Sequence, residues 1–258
     1  MRQSVSSPRQ SQAAGGATLD HAEVERFSRL AAEWWDPNGK FRPLHQIGPP
    51  RLSYIRDNVV SHFGRDPKAV RPLTGLTALD IGCGGGLIGE PLCRLGAKVT
   101  AIDPSDRNIA IAKGHADPQG LEIDYRAQRI EDLTRAGQIF DLVTCLEVVE
   151  HVPDVVAFIA ECSKAVRPGG LIVFSTINRT LKAWALAIVG AEYVLRWLPR
   201  GTHQWERFVT PKELSLHCEA AGLSAPRFEG MVYNPLRDAW DRSTDTDVNY
   251  LAAAAKGL

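Results

Sequence analysis

Apolar residues in the 258-residue chain first recur at helical spacing. Across residues 23–35 they fall at Val24, Phe27, Leu30, Ala31 and Trp34, three or four apart. This predicts an amphipathic helix, opened near Asp20 by Leu19-Asp20-His21-Ala22-Glu23. Asp36-Pro37-Asn38-Gly39 breaks it, and a second helix is expected from Pro50 to about Phe63, with Leu52, Ile55, Val59 and Phe63 inward. The middle of the chain then alternates. β-rich apolar runs at 78–81, 99–102, 123–126, 140–146 and 171–176 are separated by helical patterns at 87–95, 106–116 and 155–166. That rhythm predicts βαβ units with right-handed crossovers, hence a doubly wound, mostly parallel α/β sheet. Pro168-Gly169-Gly170 reads as the turn into the fifth strand. Residues 223–251 can supply two further strands, which makes seven.

Composition narrows the class. Hydrophobic residues make up 44% and charged residues 23%, the values of an ordinary globular protein rather than a disordered one. Thirty Lys+Arg balance thirty Asp+Glu, so the basic excess of a nucleic-acid binder is missing and no nucleic acid is expected as partner. Five cysteines (Cys83, Cys93, Cys145, Cys162 and Cys218) show neither CxxC nor CxxH spacing. They suggest no disulfide framework and no zinc site, and they suit a reducing compartment. Residues 1–19 read as a disordered tail before a single domain at 20–258, although Arg2 and Arg9 among serines would also suit a mitochondrial transit peptide. The expected location is the cytoplasm, or the mitochondrial matrix if the start is such a peptide.

The first strand ends in Leu79-Asp80-Ile81-Gly82-Cys83-Gly84-Gly85-Gly86-Leu87. Glycines there let a backbone approach a ligand and expose N–H groups at a helix start. Gly82 and Gly84 would fit the first two places of a dinucleotide fingerprint, but Leu87 then crowds the third. Asp80 would also repel a pyrophosphate, whereas it suits a cationic amine such as the methionyl end of S-adenosylmethionine. Asp103, ending the second strand in Ile102-Asp103-Pro104-Ser105, can accept hydrogen bonds from two ribose hydroxyls. Loop, Asp80 and Asp103 together point to S-adenosylmethionine rather than a nicotinamide cofactor.

The fourth strand runs into Leu146-Glu147-Val148-Val149-Glu150-His151. If the chain turns helically after Leu146, Glu147, Glu150 and His151 share one face. Three readings stay open: a site for a divalent ion such as Mg²⁺, a general base at His151 with the Glu150 carboxylate raising its basicity, or mere packing of the crossover. Residues 181–198 (LKAWALAIVGAEYVLRWL) are apolar on nearly every helical face but too short to span a bilayer. They read as a lid dipping into an anionic membrane interface, with Arg179, Lys182, Arg196 and Arg200 as its basic residues, or else as a core helix.

These residues resemble the class I S-adenosylmethionine-dependent methyltransferases, whose fold is Rossmann-like. Within them, Trp34-Trp35-Asp36-Pro37-Asn38-Gly39-Lys40-Phe41-Arg42-Pro43-Leu44-His45, Ser175-Thr176-Ile177-Asn178-Arg179-Thr180, Val189-Gly190-Ala191-Glu192-Tyr193, Pro199-Arg200-Gly201-Thr202-His203, Val232-Tyr233-Asn234-Pro235 and Asp247-Val248-Asn249-Tyr250 are similar to the ubiquinone-biosynthesis O-methyltransferase family over roughly residues 21–251. The resemblance implies methylation of polyprenyl catechol intermediates, cofactor contacts at Arg51, Gly82, Asp103 and Leu146, and a metal set of Glu147, Glu150 and His151. Segment 181–198 and its fit to a polyprenyl-tailed substrate lead to the expectation of a peripheral membrane protein at the inner face, working beside other quinone-pathway enzymes. The family's usual Asn-Pro-Leu-Arg reads Gly48-Pro49-Pro50-Arg51 here, and Leu146 stands where Met is frequent. Two rivals are a methyltransferase of another small phenol and a non-catalytic S-adenosylmethionine-binding scaffold subunit.

Overall fold

All five apolar runs of the central region are strands in the structure, a computed structural model that describes residues 19–188 and 204–258. They are β1 (Thr77–Ile81), β2 (Lys98–Asp103), β3 (Ile123–Ala127), β4 (Phe140–Leu146) and β5 (Val166–Ile177). All four pairings among them are parallel. Three antiparallel strands follow: β6 (Arg227–Asn234), β7 (Ala239–Ser243) and β8 (Asn249–Ala255). The sheet order is β3-β2-β1-β4-β5-β8-β6-β7, so eight strands stand where seven were expected. The extra one is β7, Ala-Trp-Asp-Arg-Ser, a half-buried edge strand whose two charges blur the apolar signal. Pro168-Gly169-Gly170 does not separate the helix from the strand. It lies inside β5, where Gly169 takes φ +72° and its N–H donates to the Lys256 carbonyl at 3.0 Å, keeping the ladder intact across the irregularity.

The helices are α1 (His21–Arg29), α2 (Arg42–His62), α3 (Gly89–Arg94), α4 (Asp106–Ala116), α5 (Ile130–Arg135), α6 (Val155–Ala165), α7 (Leu181–Ala183) and α8 (Pro211–Ala220). The first predicted helix stops early at Leu30, and a short 3-10 turn over Ala31–Glu33 carries the chain on to Trp34. Asp20 caps α1 by accepting from the Ala22 and Glu23 N–H groups. The second helix starts at Arg42 rather than Pro50, with Pro43 in its first turn and both Pro49 and Pro50 inside it. Proline suits a first turn, which made Pro50 look like a start. The helix instead continues through the pair, leaving the carbonyls of His45 and Gln46 without their intrahelical donors. α5 and α8 were not anticipated, although Thr210-Pro211-Lys212-Glu213 forms a full capping box at the start of α8.

Alternate residues of the strands feed two cores. On one face Leu79, Ile81, Val143, Cys145, Ile172 and Phe174 meet Phe158, Ile159 and Cys162 of α6 and Leu214 of α8. On the other, Ala78, Val99, Ala101, Leu142, Leu171 and Val173 meet Ile55 and Val59 of α2, Leu92 of α3 and Ile109 of α4. Coverage on both faces explains why the parallel strands read as unbroken apolar runs. All five cysteines are free, and Cys83, Cys145, Cys162 and Cys218 are buried. β1 lies between β2 and β4, so successive crossovers leave it in opposite directions. In open α/β sheets a crevice opens at the carboxyl ends of the strands at that reversal.

Candidate functional site

Asp80 reaches the crevice from β1. Its Oδ1 accepts from Thr144 Oγ1 at 2.8 Å, while the buried Oδ2 has no partner. Burial pushes this carboxyl up to about 7, and the nearby Asp103 charge adds to it. The loop that follows depends on its glycines, as Gly82 and Gly84 show. Gly82 (φ +69°) would put a Cβ 2.6 Å from Val148, and Gly84 (φ +52°) would put one 2.4 Å from the Trp34 indole.

Asp103, at the end of β2, ties this loop down. Its Oδ2 accepts the Gly84 N–H at 3.1 Å, and its Oδ1 accepts from the Ser105 N–H at 2.9 Å and from Asn108 Nδ2 at 3.1 Å. Burial nevertheless keeps its carboxyl above the ordinary range. Asn108 in turn accepts from Trp34 Nε1 at 3.0 Å, and Trp35 Nε1 donates to the Gly85 carbonyl at 2.9 Å. The two tryptophans thus clamp the loop from the N-terminal segment. Trp34 is stacked on Phe41 and Trp35 on His115.

At the end of β4 the expected helical face does not form. Glu147 takes φ +55°, a left-handed conformation costly for a non-glycine residue, and only Val149–His151 coil into a 3-10 turn. The three polar side chains therefore go different ways. Glu147 Oε1 pairs with Arg51 Nη2 and accepts from Ser175 Oγ, each at 2.7 Å. Glu150 Oε2 accepts from Thr176 Oγ1 at 2.8 Å, and its buried Oε1 has no partner. Burial and then the Glu147 charge hold the Glu150 carboxyl above its ordinary value. His151 Nδ1 lies 2.9 Å from Glu23 Oε2 of α1. Burial works to raise the Glu23 carboxyl, but His151 and Arg26 outweigh it and hold it below the usual range. Among the described residues no three His, Cys, Asp or Glu side chains converge to hold a metal ion.

One cavity of about 720 Å³ unites the predicted residues: Arg51, Asp80, Gly82, Gly84, Asp103, Leu146, Glu147, Glu150 and His151 all line it. Glu23, Trp34 and Asn108 line it too. Sequence reading missed them as site residues, although Trp34-Trp35 beside a loop-breaking Asp-Pro-Asn-Gly was a visible signal. Leu186, Ala187, Val232 and Trp240 add apolar surface to the lining, and Lys182 and Asp245 line it as well.

Of the segment 181–198, residues from 189 onward lie outside the described residues, as do residues 1–18. Leu181 is 79% exposed, Trp184 48% and Leu186 55%, whereas Ala183 is buried and Ala187 and Ile188 pack with it against Ile177 and Phe208, so the described start of this segment has one packed and one exposed face. Its charge is weaker than expected: Lys182 pairs with Asp245 and Asp247, and Arg179 with Glu213. No described helix is long and apolar enough to cross a membrane.

A family model for a methyltransferase domain matches residues 79–174, from β1 through most of β5. The ubiquinone biosynthesis O-methyltransferase of Mesorhizobium japonicum is 58% identical over 93% of this chain and 97% of its own. The protein of the same name from a Chelativorans strain is also 58% identical, over 93% and 94%. Among solved structures, a magnesium protoporphyrin IX methyltransferase from Synechocystis with bound SAH superposes with TM-score 0.59 at 20% identity, covering 90% of this chain and 94% of that one. A possible histamine N-methyltransferase from Thermotoga maritima gives TM-score 0.61 at 15% identity, over 91% and 99%. These distant structures share the Rossmann-like fold.

Proposed function

The chain belongs to the ubiquinone biosynthesis O-methyltransferase family, and from that premise we propose that it moves a methyl group from S-adenosylmethionine to a phenolic hydroxyl of polyprenyl catechols, namely 2-polyprenyl-6-hydroxyphenol and 3-demethylubiquinol. The observation that carries the cofactor half is the partnerless Oδ2 of Asp80, buried beside the glycine loop and lining the cavity. A buried carboxylate oxygen without a donor is costly, and an ammonium group satisfies it with charge. The methionyl amine of the cofactor belongs there. Asp103 holds the ribose through the capacity left on Oδ2, and Gly82, Gly84 and Leu146 shape the cofactor's seat. Arg51, fixed on Glu147 and lining the same cavity, is the further cofactor contact.

Methyl transfer requires an ionised phenolic oxygen in line with the methyl–sulfur bond. A free phenol has a pKa near ~10, so the site must help it lose its proton. His151 is the acceptor: its Nδ1 is engaged by Glu23, which leaves Nε2 for the phenol. Glu150, with Oε1 unpartnered, is a second polar group lining the cavity. Glu147, Glu150 and His151 are also the set that the family resemblance implies for Mg²⁺; the bare Glu150 oxygen suits a hard cation in kind, but the three side chains do not converge on one point in the structure. Such an ion would stabilise the phenolate oxygen. Glu147 is committed to Arg51 in the structure, and no step is routed through the ion.

The apolar lining residues Ala187, Val232 and Trp240, the lining and exposed Leu186, and the exposed Leu181 and Trp184 of the same segment support a prenyl tail that enters from a membrane interface. Each buried CH₂ contributes about 0.8 kcal/mol. A catechol with one prenyl unit should therefore show kcat/KM at least about tenfold above the plain catechol. Equal values would favour methylation of another small phenol. Because Arg179 and Lys182 are neutralised by carboxylates, vesicle binding should depend mainly on the apolar residues. Co-sedimentation with anionic vesicles is expected for the native chain and should be lost on changing Leu181, Trp184 and Leu186 together to Ser. Unchanged sedimentation of that variant would refute the membrane contact at this segment.

A further inference from the structure

The ring of His151 is held by residues from an element remote in sequence. Glu23, in the first turn of α1, brings Oε2 to 2.9 Å from His151 Nδ1, and the two side chains are only 13% and 16% exposed. One helical turn on, Phe27 meets the same imidazole edge to face, with centroids 5.3 Å apart at 81°. Arg26 Nη2 sits 2.7 Å from the same Glu23 oxygen and steadies it. The start of α1 is fixed as well, because its cap Asp20 receives Arg207 Nη1 at 3.0 Å. Among the described residues no hydrogen bond is made to Nε2, and His151 lines the cavity.

An ionised carboxylate only accepts hydrogen bonds, so a neutral His151 facing Glu23 must carry its proton on Nδ1. The lone pair is then on Nε2. We propose that Glu23 is a positioning residue that holds His151 in the Nδ1–H tautomer and so presents Nε2 to the phenolic hydroxyl. This rests on the methyltransferase reading above and adds a residue to it. The same orientation would serve Nε2 as a metal ligand, since a carboxylate on the outer nitrogen is how a ligating imidazole is usually aligned. Through the turn at Ala31–Glu33, α1 also leads directly to Trp34 and Trp35 on the glycine loop. One short segment thus touches both the base and the cofactor seat.

The ordinary alternative is a weak, partly exposed ion pair with no bearing on the chemistry. Glu23→Ala and Glu23→Gln in the full chain separate the two. Glu23→Ala should lower kcat about 10- to 100-fold, the usual cost of losing such an outer partner, while KM and the S-adenosylmethionine Kd stay within about twofold. Glu23→Gln should recover much of the loss, because its amide oxygen still accepts from Nδ1–H. In ¹⁵N-histidine spectra, with the His151 signal assigned by its disappearance in His151→Ala, Nδ1–H should dominate in the native chain and in Glu23→Gln. Nε2–H should gain in Glu23→Ala. An unchanged tautomer, an unchanged kcat, or a cofactor affinity that falls in step with kcat would overturn the proposal. If the native chain transferred no methyl to the catechol, the functional reading would fail by itself and the tautomer would decide the role of Glu23.

Discussion

Asp80→Asn should weaken S-adenosylmethionine binding by a hundredfold or more while leaving the ligand-free protein at least as stable at pH 8. Removing one member of a buried ion pair costs about 3–5 kcal/mol, because the other charge is left in a dry site. Without ligand the situation reverses. The native Asp80 carboxyl is buried with one oxygen unpartnered, and its neutral isostere still accepts from Thr144 through Oδ1. The sign of the pH dependence follows. In the folded, ligand-free chain this carboxyl ionises at about 7, against 3.8 ordinarily, so the folded state keeps a proton that the unfolded state releases. Asp80 therefore favours folding at low pH, and that contribution fades as pH rises through about 7. A cationic amine demands the ionised form. Cofactor affinity of the native chain should rise between about pH 6 and 8 and then level off, and Asp80→Asn should remove the rise. Calorimetry across that range, with an unaltered Kd in the variant, would speak against the amine at Asp80.

His151→Ala should cost about 10²- to 10⁴-fold in kcat, the range for loss of a general base, with cofactor affinity held within about twofold. A parallel loss of affinity would instead make His151 part of the cofactor seat. Chelation distinguishes the two ways in which the same wall could work. If Glu147, Glu150 and His151 hold Mg²⁺, EDTA should abolish turnover with an unchanged circular dichroism spectrum, and added Mg²⁺ should restore it. Glu147→Gln and Glu150→Gln should then be as severe as His151→Ala. Full activity in EDTA, with both Glu→Gln changes mild, would leave His151 as the base and exclude the ion.

The cofactor half of this site was readable because it is local. Asp80, Gly82 and Gly84 lie within five residues of one buried strand, and Asp103 ends the next strand, so βαβ topology alone brings them together. The catalytic half was readable in composition but not in geometry. Helical periodicity placed Glu147, Glu150 and His151 on one face, whereas the positive φ of Glu147 lets the chain leave β4 without continuing into a helix. Periodicity carries no information about one such residue. Glu23 and Trp34 were hidden for a different reason. Their partners His151 and Asn108 lie 128 and 74 residues further on, and both positions also satisfy the amphipathic pattern of an ordinary surface helix. The edge strand β7 escaped because edge strands are half solvated and carry charges by design.

The central claim is transfer of a methyl group to a phenolic oxygen, and it is tested most directly by incubating the purified chain with methyl-labelled S-adenosylmethionine and a short-chain prenyl catechol, then analysing the products by mass spectrometry. The expected result is a mono-O-methylated catechol formed in equal amount to S-adenosylhomocysteine, and at least about a hundredfold less of it per unit time with His151→Ala. Saturable cofactor binding without any methylated product, with or without Mg²⁺, would contradict the account and leave a non-catalytic S-adenosylmethionine-binding subunit in its place.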